Sequence, residues 1–262
     1  MNVRSLALTT ELALVQTRGT IADRGDYLVV ETPDDPTYYQ GNLLVLPAAP
    51  QVGEVAYWLR RFESELTSKN GAIKHVTLWW DGIAGDTGAA DELRAAGFTV
   101  NVNPVMVTDS APAAVTAPDG ITVRQLDANE VLATADIAWA IADRHDDVYR
   151  RFYQRRANWH RQLVVRGLAT FWGAFDGADI VSSLGLVTLG NVARYQDVQT
   201  IAAYRGRGIA TALLVAAARD AFAKGMSRVV IIAEAGSGAD RIYARVGFRE
   251  IEKMASAVKA PT

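Results

Sequence analysis

Residues 197–215 carry the strongest chemical signal in this chain, as a strand, then a tight loop rich in glycine and arginine, then a helix. Within it, Arg205-x-x-Gly208-x-Ala210 sets backbone N–H groups at a helix N-terminus with little side-chain bulk around them. Such a terminus offers unpaired donors and the positive end of the helix dipole, which together suit phosphate oxygens. Gly206 and Gly208 permit unusual dihedrals and close approach of a ligand to the backbone, while Arg205 and Arg207 bring positive charge beside it. Binding of a pyrophosphate is the chemistry this spacing suggests. A nucleotide P-loop fits poorly, because no Gly-Lys-Ser/Thr follows the glycines.

Such a loop works only if its flanking elements hold it. The helix after Gly208 carries apolar Ile209, Leu213, Ala216 and Ala217, a face suited to packing on a sheet. Residues 228–233 read as a buried strand, and 239–246 as a short helix ending at Gly247-Phe248 and bearing Tyr243. Upstream, the pattern predicts a strand at 121–126, helices at 128–143 and 146–165, and strands at 170–175 and 179–189 joined through Asp176-Gly177. Gly190-Asn191 then turns into a strand at 192–200.

Arg205-x-x-Gly208-x-Ala210 followed, after a helix and a strand, by Ala239-x-x-Ile242-Tyr243-x-x-x-Gly247-Phe248 resembles the GNAT superfamily of acyl-CoA-dependent N-acyltransferases. The likeness covers about residues 120–258. It implies an α/β (α+β) fold with a mixed, mostly antiparallel sheet that splays between its fourth and fifth strands, here 192–200 and 228–233. It further implies acetyl-CoA as acyl donor, its pantetheine lying in that splay and its pyrophosphate held by Arg205, Gly206, Arg207, Gly208, Ile209 and Ala210. Backbone groups of Val198 and Thr200 would pair with pantetheine and polarise the thioester carbonyl. Tyr243 would protonate the leaving thiolate, since a phenol with a pKa of roughly 10 stays protonated at neutral pH. Family members often have Asn seven residues before the tyrosine; this chain has Gly236 there, with Ser237 adjacent to take over the polar contact.

The expected reaction is acetyl transfer to the primary amine of a small molecule. A non-catalytic acyl-CoA sensor on the same scaffold, or an N-acyltransferase acting on proteins, would use the same loop. Asp197 and His145 are the candidates for the amine's base, and neither is assigned. Alternation along the strand places Asp197 on one face with Tyr195 and Gln199. Residues 143–156 mix charges with aromatics; they could wall an acceptor site, although their arginines read first as a solvated helix face.

The other half of the chain carries a diverged repeat. Leu93-Arg-Ala-Ala-Gly-Phe98 echoes Tyr243-Ala-Arg-Val-Gly-Phe248, and Gln51-x-x-Glu54-x-Ala56 opens an apolar helix before a strand at 75–80. Glu54 stands where a phosphate cradle needs glycine, and Leu93 stands in the place of Tyr243. The expectation is two GNAT-like units in tandem: a degenerate one at 1–108, a linker at 109–119 rich in small residues and proline, and an acetyltransferase domain at 120–262. The polar, aromatic loop at 33–42 reads as either a solvated turn or a binding loop.

Composition narrows the remaining classes. With 262 residues, 50% apolar and 21% charged, the chain has ample material for a globular core. A net charge of −2 argues against a nucleic-acid binder. The absence of cysteine excludes disulfides, thiolate metal sites and a cysteine nucleophile, and three scattered histidines argue against a histidine metal cluster. No signal-like segment or membrane span stands out, which points to a cytoplasmic protein, monomeric or homodimeric.

Overall fold

The computed structural model describes residues 1–261. In chain order it contains α1 (Leu6–Val15), β1 (Thr20–Asp23), β2 (Leu28–Glu31), β3 (Leu43–Leu46), α2 (Val55–Phe62), β4 (Val76–Trp80), α3 (Ala90–Ala95) and β5 (Thr99–Thr108). There follow β6 (Ile121–Leu126), α4 (Thr134–Ala140), α5 (Asp147–Val165), β7 (Ala169–Asp176), β8 (Asp179–Leu189) and β9 (Val192–Thr200). The chain closes with α6 (Ile209–Ala223), β10 (Arg228–Ile232), α7 (Ala239–Arg245) and β11 (Arg249–Lys259). No helix among the described residues is long and apolar enough to cross a membrane.

Two compact units form, and neither is a continuous stretch of sequence. The first contains Met1–Val105, Ile232–Ser237 and the residues from Glu250 onward; the second contains Met106–Ile231 and Gly238–Arg249. In the first, the strands run β1-β2-β3-β4-β11-β5, so the last strand of the chain sits between two strands of its amino-terminal half. β11 pairs antiparallel with β4, with Ser256 opposite Trp79, and β3 pairs parallel with β4. Alternation sends Leu78, Trp80, Ala255 and Ala257 to one face, where they meet Val55, Trp58, Phe62 and Leu93 from α2 and α3 in a buried core. Segment 33–42 is anchored rather than a solvated turn. Asn42, fully buried, donates to the carbonyls of Asp35 and Tyr38 and accepts from the Thr32 N–H, and Arg18 pairs with the buried Asp35.

The second unit orders its strands β10-β9-β8-β7-β6, antiparallel except for the parallel pair β9–β10. Its two faces are covered by different helices. Tyr195 on β9 donates to the Leu214 carbonyl of α6 at 2.5 Å, while Phe171 on β7 lies 4.7 Å from the His160 ring of α5. The predicted helix at 128–143 is shorter than expected: a 3-10 turn at Glu130–Ala133 leads into α4, which stops at Ala140. The chain restarts at α5 because Asp146 caps it, accepting from the N–H groups of Val148 and Tyr149. Segment 109–119 lacks regular structure but is tied down. Asp109 pairs with both Arg228 and Arg249, and Arg219 donates to the Pro112 carbonyl.

The same order of pairings occurs in both halves of the sequence. Antiparallel β2–β3 then parallel β3–β4 around α2 repeats as antiparallel β8–β9 then parallel β9–β10 around α6. The short helices that follow end alike. Gly97 and Gly247 have φ of 88° and 95°, and Phe98 N–H meets the Leu93 carbonyl at 3.0 Å as Phe248 N–H meets that of Tyr243. These are equivalent helix stops with left-handed glycine at the turn.

Candidate active site

The site is built on the end of β9 and the start of α6. β9 pairs with β10 only over Val192–Arg194, after which no partner on β10 follows it. The two strands part at the point where the chain heads for the glycine loop. On its other edge β9 stays paired to β8, and it carries a bulge there, because Gln196 lies opposite Gly185 but Gln199 lies opposite Ser183. The extra residue is Asp197, with φ of 47°, the only non-glycine among the described residues in the left-handed region.

That bulge overturns the simple alternation expected for Asp197. Tyr195 faces α6, but Asp197 turns to α5, where Arg156 meets it with Nε at 2.7 Å from Oδ2 and a terminal nitrogen at 2.6 Å from Oδ1. His160 Nε2 stands 3.7 Å away. Burial pushes the Asp197 carboxyl up, yet Arg156 and His160 outweigh it and hold the group below the usual carboxylate range. A carboxylate locked by a bidentate guanidinium is a poor proton acceptor, so Asp197 serves position rather than base chemistry. His145 lies on the exposed connection between α4 and α5, with its ring nitrogen 3.0 Å from the Trp139 carbonyl. Arg156 and His160, spaced four apart on one helix, belong with β9 rather than on a solvated helix face.

After β9, a 3-10 turn at Ala202–Tyr204 leads into the loop. Gly206 and Gly208 both have left-handed φ, 73° and 81°, and Gly208 forms the N-cap of α6 without any capping side chain. A Cβ at Gly206 would meet nothing within 4 Å, and one at Gly208 would reach only Pro118 Cγ at 4.0 Å. These positions therefore open to space. The N–H groups of Gly206, Arg207 and Gly208 find no hydrogen-bond partner among the described residues, and Ile209 and Ala210 follow in the first turn of α6. The arginines flank this opening. Arg205 Nε donates to the Thr200 carbonyl at 3.1 Å, and the Arg207 guanidinium lies 5.0 Å from the ring centre of Tyr204, whose hydroxyl donates to Asp176. Donors, dipole and charge thus converge on one exposed turn, an arrangement suited to a pyrophosphate.

Tyr243 on α7 packs against Phe248, ring centres 6.3 Å apart, and Phe248 in turn lies 5.9 Å from Tyr195 of β9. Tyr243 is 6% exposed, and burial pushes its hydroxyl up to about 12. That hydroxyl has no hydrogen-bond partner among the described residues. Val198 and Thr200 lie on the stretch of β9 that has left β10. Thr200 also exchanges a hydrogen bond with Ser182 through their hydroxyls, 2.8 Å apart. Ser237 is differently engaged: its hydroxyl donates to the Glu234 carbonyl at 2.8 Å, closing the turn before α7.

Residues 132–248 match the family model described as the acetyltransferase (GNAT) family. The match to the GNAT family is thus to that stretch, somewhat under half of the chain. No curated protein matches the sequence. Among solved structures, the fold is similar to a conserved protein of unknown function from Staphylococcus epidermidis (TM-score 0.69, 14% identity, covering 93% of this chain and 95% of that one). It is also similar to a GCN5-related N-acetyltransferase from Kribbella flavida (TM-score 0.67, 15% identity, 99% and 98% covered). A tandem GNAT protein from the clavulanic acid biosynthesis pathway shares it at TM-score 0.55 and 14% identity, over 84% of this chain and 74% of that one. At these identities the likeness speaks for the fold: a mixed sheet flanked by helices, of the GNAT type.

Proposed function

We propose that the protein is an N-acetyltransferase that moves an acetyl group from acetyl-CoA directly to the primary amine of a small molecule. The observation that carries this reading is the open glycine turn at the head of α6, set beside the parting of β9 from β10. Acetyl-CoA would supply the activated acyl group; the chain supplies position, charge and a proton. Gly206, Arg207, Gly208, Ile209 and Ala210 would bind the pyrophosphate through backbone N–H groups, with Arg205 and Arg207 beside it. The unpaired edge of β9 at Val198 and Thr200 would hold the pantetheine and steady the oxyanion. Tyr243 would protonate the departing sulfur, since its unpartnered hydroxyl keeps its proton across the physiological range.

In this reading the linker at 109–119 separates a degenerate amino-terminal GNAT-like unit from the acetyltransferase at 120–262. Ser237, committed to Glu234, would have to turn to reach a pantetheine amide. A non-catalytic acyl-CoA sensor is the second reading, favoured by Asp197 being locked to Arg156 and so withdrawn as a base. Turnover separates the two. Labelled acetyl-CoA is incubated with a panel of small primary amines, in wild type and Tyr243→Phe. Transfer that falls roughly 10²- to 10⁴-fold in the variant supports the enzyme and its acid. Binding of acetyl-CoA without transfer to any amine supports the sensor, and label entering polypeptide instead would move the acceptor to protein.

A further inference from the structure

After Arg194, β9 has β8 on one edge and no partner on β10, and the bulge at Asp197 falls within that stretch. We infer that Arg156 of α5 positions the acyl thioester: through Asp197 it fixes the backbone of β9 at Val198 and Thr200, against which the acyl group would lie. The inference rests on the acyl-CoA reading above and names the residue that sets its geometry.

Asp197 holds φ at 47°, a left-handed conformation that aspartate tolerates but does not favour over extended backbone, so the bulge needs support. Its two carboxylate oxygens each meet a different nitrogen of Arg156, at 2.7 and 2.6 Å, a planar fork that fixes direction as well as distance. One helical turn on, His160 stands 3.7 Å from the same carboxylate, and its ring lies 4.7 Å from that of Phe171. Phe171 in turn fills the space over Gly185, where an added Cβ would come within 2.5 Å of the ring. Gly185 is the residue of β8 at which the register slips, so helix, aromatic ring and bulge meet at one place. The helix that carries Arg156 is firmly seated, with Ala157, Trp159, His160 and Leu163 buried and Asp146 capping its start. A gap of about 10 Å³ beside the pair is lined otherwise by Thr134, Ala135, Ala138, Tyr153, Ala157 and Gln199. None of these is charged, so apart from His160 no side chain there could replace the guanidinium.

Arg156→Lys tests this, since it keeps the charge and loses the fork. The ¹³C signal of [1-¹³C]acetyl-CoA bound to the full chain reads the polarisation of the thioester carbonyl without any turnover. Wild type is expected to move that signal downfield, and Arg156→Lys to lose about half of the displacement or more. The acetyl-CoA Kd should change less than about threefold, because the glycine turn is untouched. With the best amine of the panel, kcat should fall roughly 10- to 100-fold, as it does when a reacting group is misplaced by about 1 Å. Arg156→Leu combined with Asp197→Gly should regain part of what Arg156→Leu alone loses, because glycine takes left-handed φ without support. Leu163→Ala loosens α5 at a fully buried residue that makes no bond to Asp197. It should lower Tm and leave the carbonyl displacement and the kcat of folded protein unchanged. No displacement in wild type, a wild-type displacement in Arg156→Lys, or an equal loss in Leu163→Ala would overturn the inference. If wild type binds acetyl-CoA yet acetylates no amine, the transfer reading fails by itself, and the carbonyl signal still decides the role of Arg156.

Discussion

Gly208→Glu is the sharpest test of the phosphate cradle. Gly208 sits at φ 81°, where any side chain costs about 1 kcal/mol of backbone strain. Space is not the obstacle, since the nearest atom to an added Cβ is Pro118 Cγ at 4.0 Å. The glutamate therefore acts chiefly through charge. A carboxylate about 5 Å from a phosphate repels it by about 0.8 kcal/mol in water and about 3 kcal/mol at the screening typical of a protein surface. Acetyl-CoA binding should weaken roughly 5- to 150-fold. By thermal unfolding, wild type at a hundredfold excess of acetyl-CoA over its Kd gains about 2.7 kcal/mol, about 5–10 °C in Tm. The variant at the same concentration should keep about 0.3–1.8 kcal/mol of that gain, about 1–7 °C according to how strongly the charge is screened. Gly190→Ala supplies the control, because Gly190 has φ 63° with nothing within 4 Å of an added Cβ. It should lose similar stability and retain the full acetyl-CoA shift. If Gly208→Glu binds acetyl-CoA as wild type does, the head of α6 is not the phosphate site.

Three further outcomes follow from the structure. The rate should climb with pH as the acceptor amine loses its proton and show no descending limb up to about pH 11, because Tyr243 keeps its proton until about 12; a fall setting in near pH 9–10 would remove Tyr243 as a desolvated acid. Asp197→Asn preserves a residue tolerant of left-handed φ but removes the charge that Arg156 and His160 face, and should cost about 2 kcal/mol in denaturant unfolding, tempered by the pair's one-fifth exposure; a loss under about 0.5 kcal/mol would show that the pair does not hold α5 to the sheet. Truncation before Glu250 removes β11 from between β4 and β5 and should abolish hydrogen-exchange protection in β4, although no residue of 1–108 is touched; persistent protection of Leu78 and Trp80 would refute that dependence.

Local pattern made much of the second unit legible. The expected strands at 121–126, 179–189 and 192–200 coincide with β6, β8 and β9, since each is a run of alternating or buried residues bounded by glycine or asparagine turns. The glycine turn was legible for the same reason: left-handed φ at 206 and 208 is a property of the residue itself. What escaped were consequences of distant pairing. Nothing in 249–259 marks it as a strand of the first unit, because its partners are more than 140 residues away and its alternation would suit any half-buried position. The bulge at Asp197 depends on a register slip against β8, and only that slip brings Asp197 to Arg156 and His160.

The two halves diverge at the chemistry and agree at the packing. α3 and α7 end on the same glycine turn with a buried phenylalanine behind it, yet one helix carries Leu93, fully buried in the core, and the other carries Tyr243 with a free hydroxyl. The contrast at the two helix heads is stronger. In the second unit the N–H groups before α6 face open space. In the first, the turn before α2 is closed by the chain's own acids: Gly53 N–H donates to Glu92 at 2.7 Å, and Gln51 N–H donates to Glu54 at 2.9 Å. Those carboxylates occupy donors that a phosphate would need, and they oppose its charge. Donors at the head of α2 are thus satisfied from within, whereas those of Gly206, Arg207 and Gly208 before α6 are not, among the described residues.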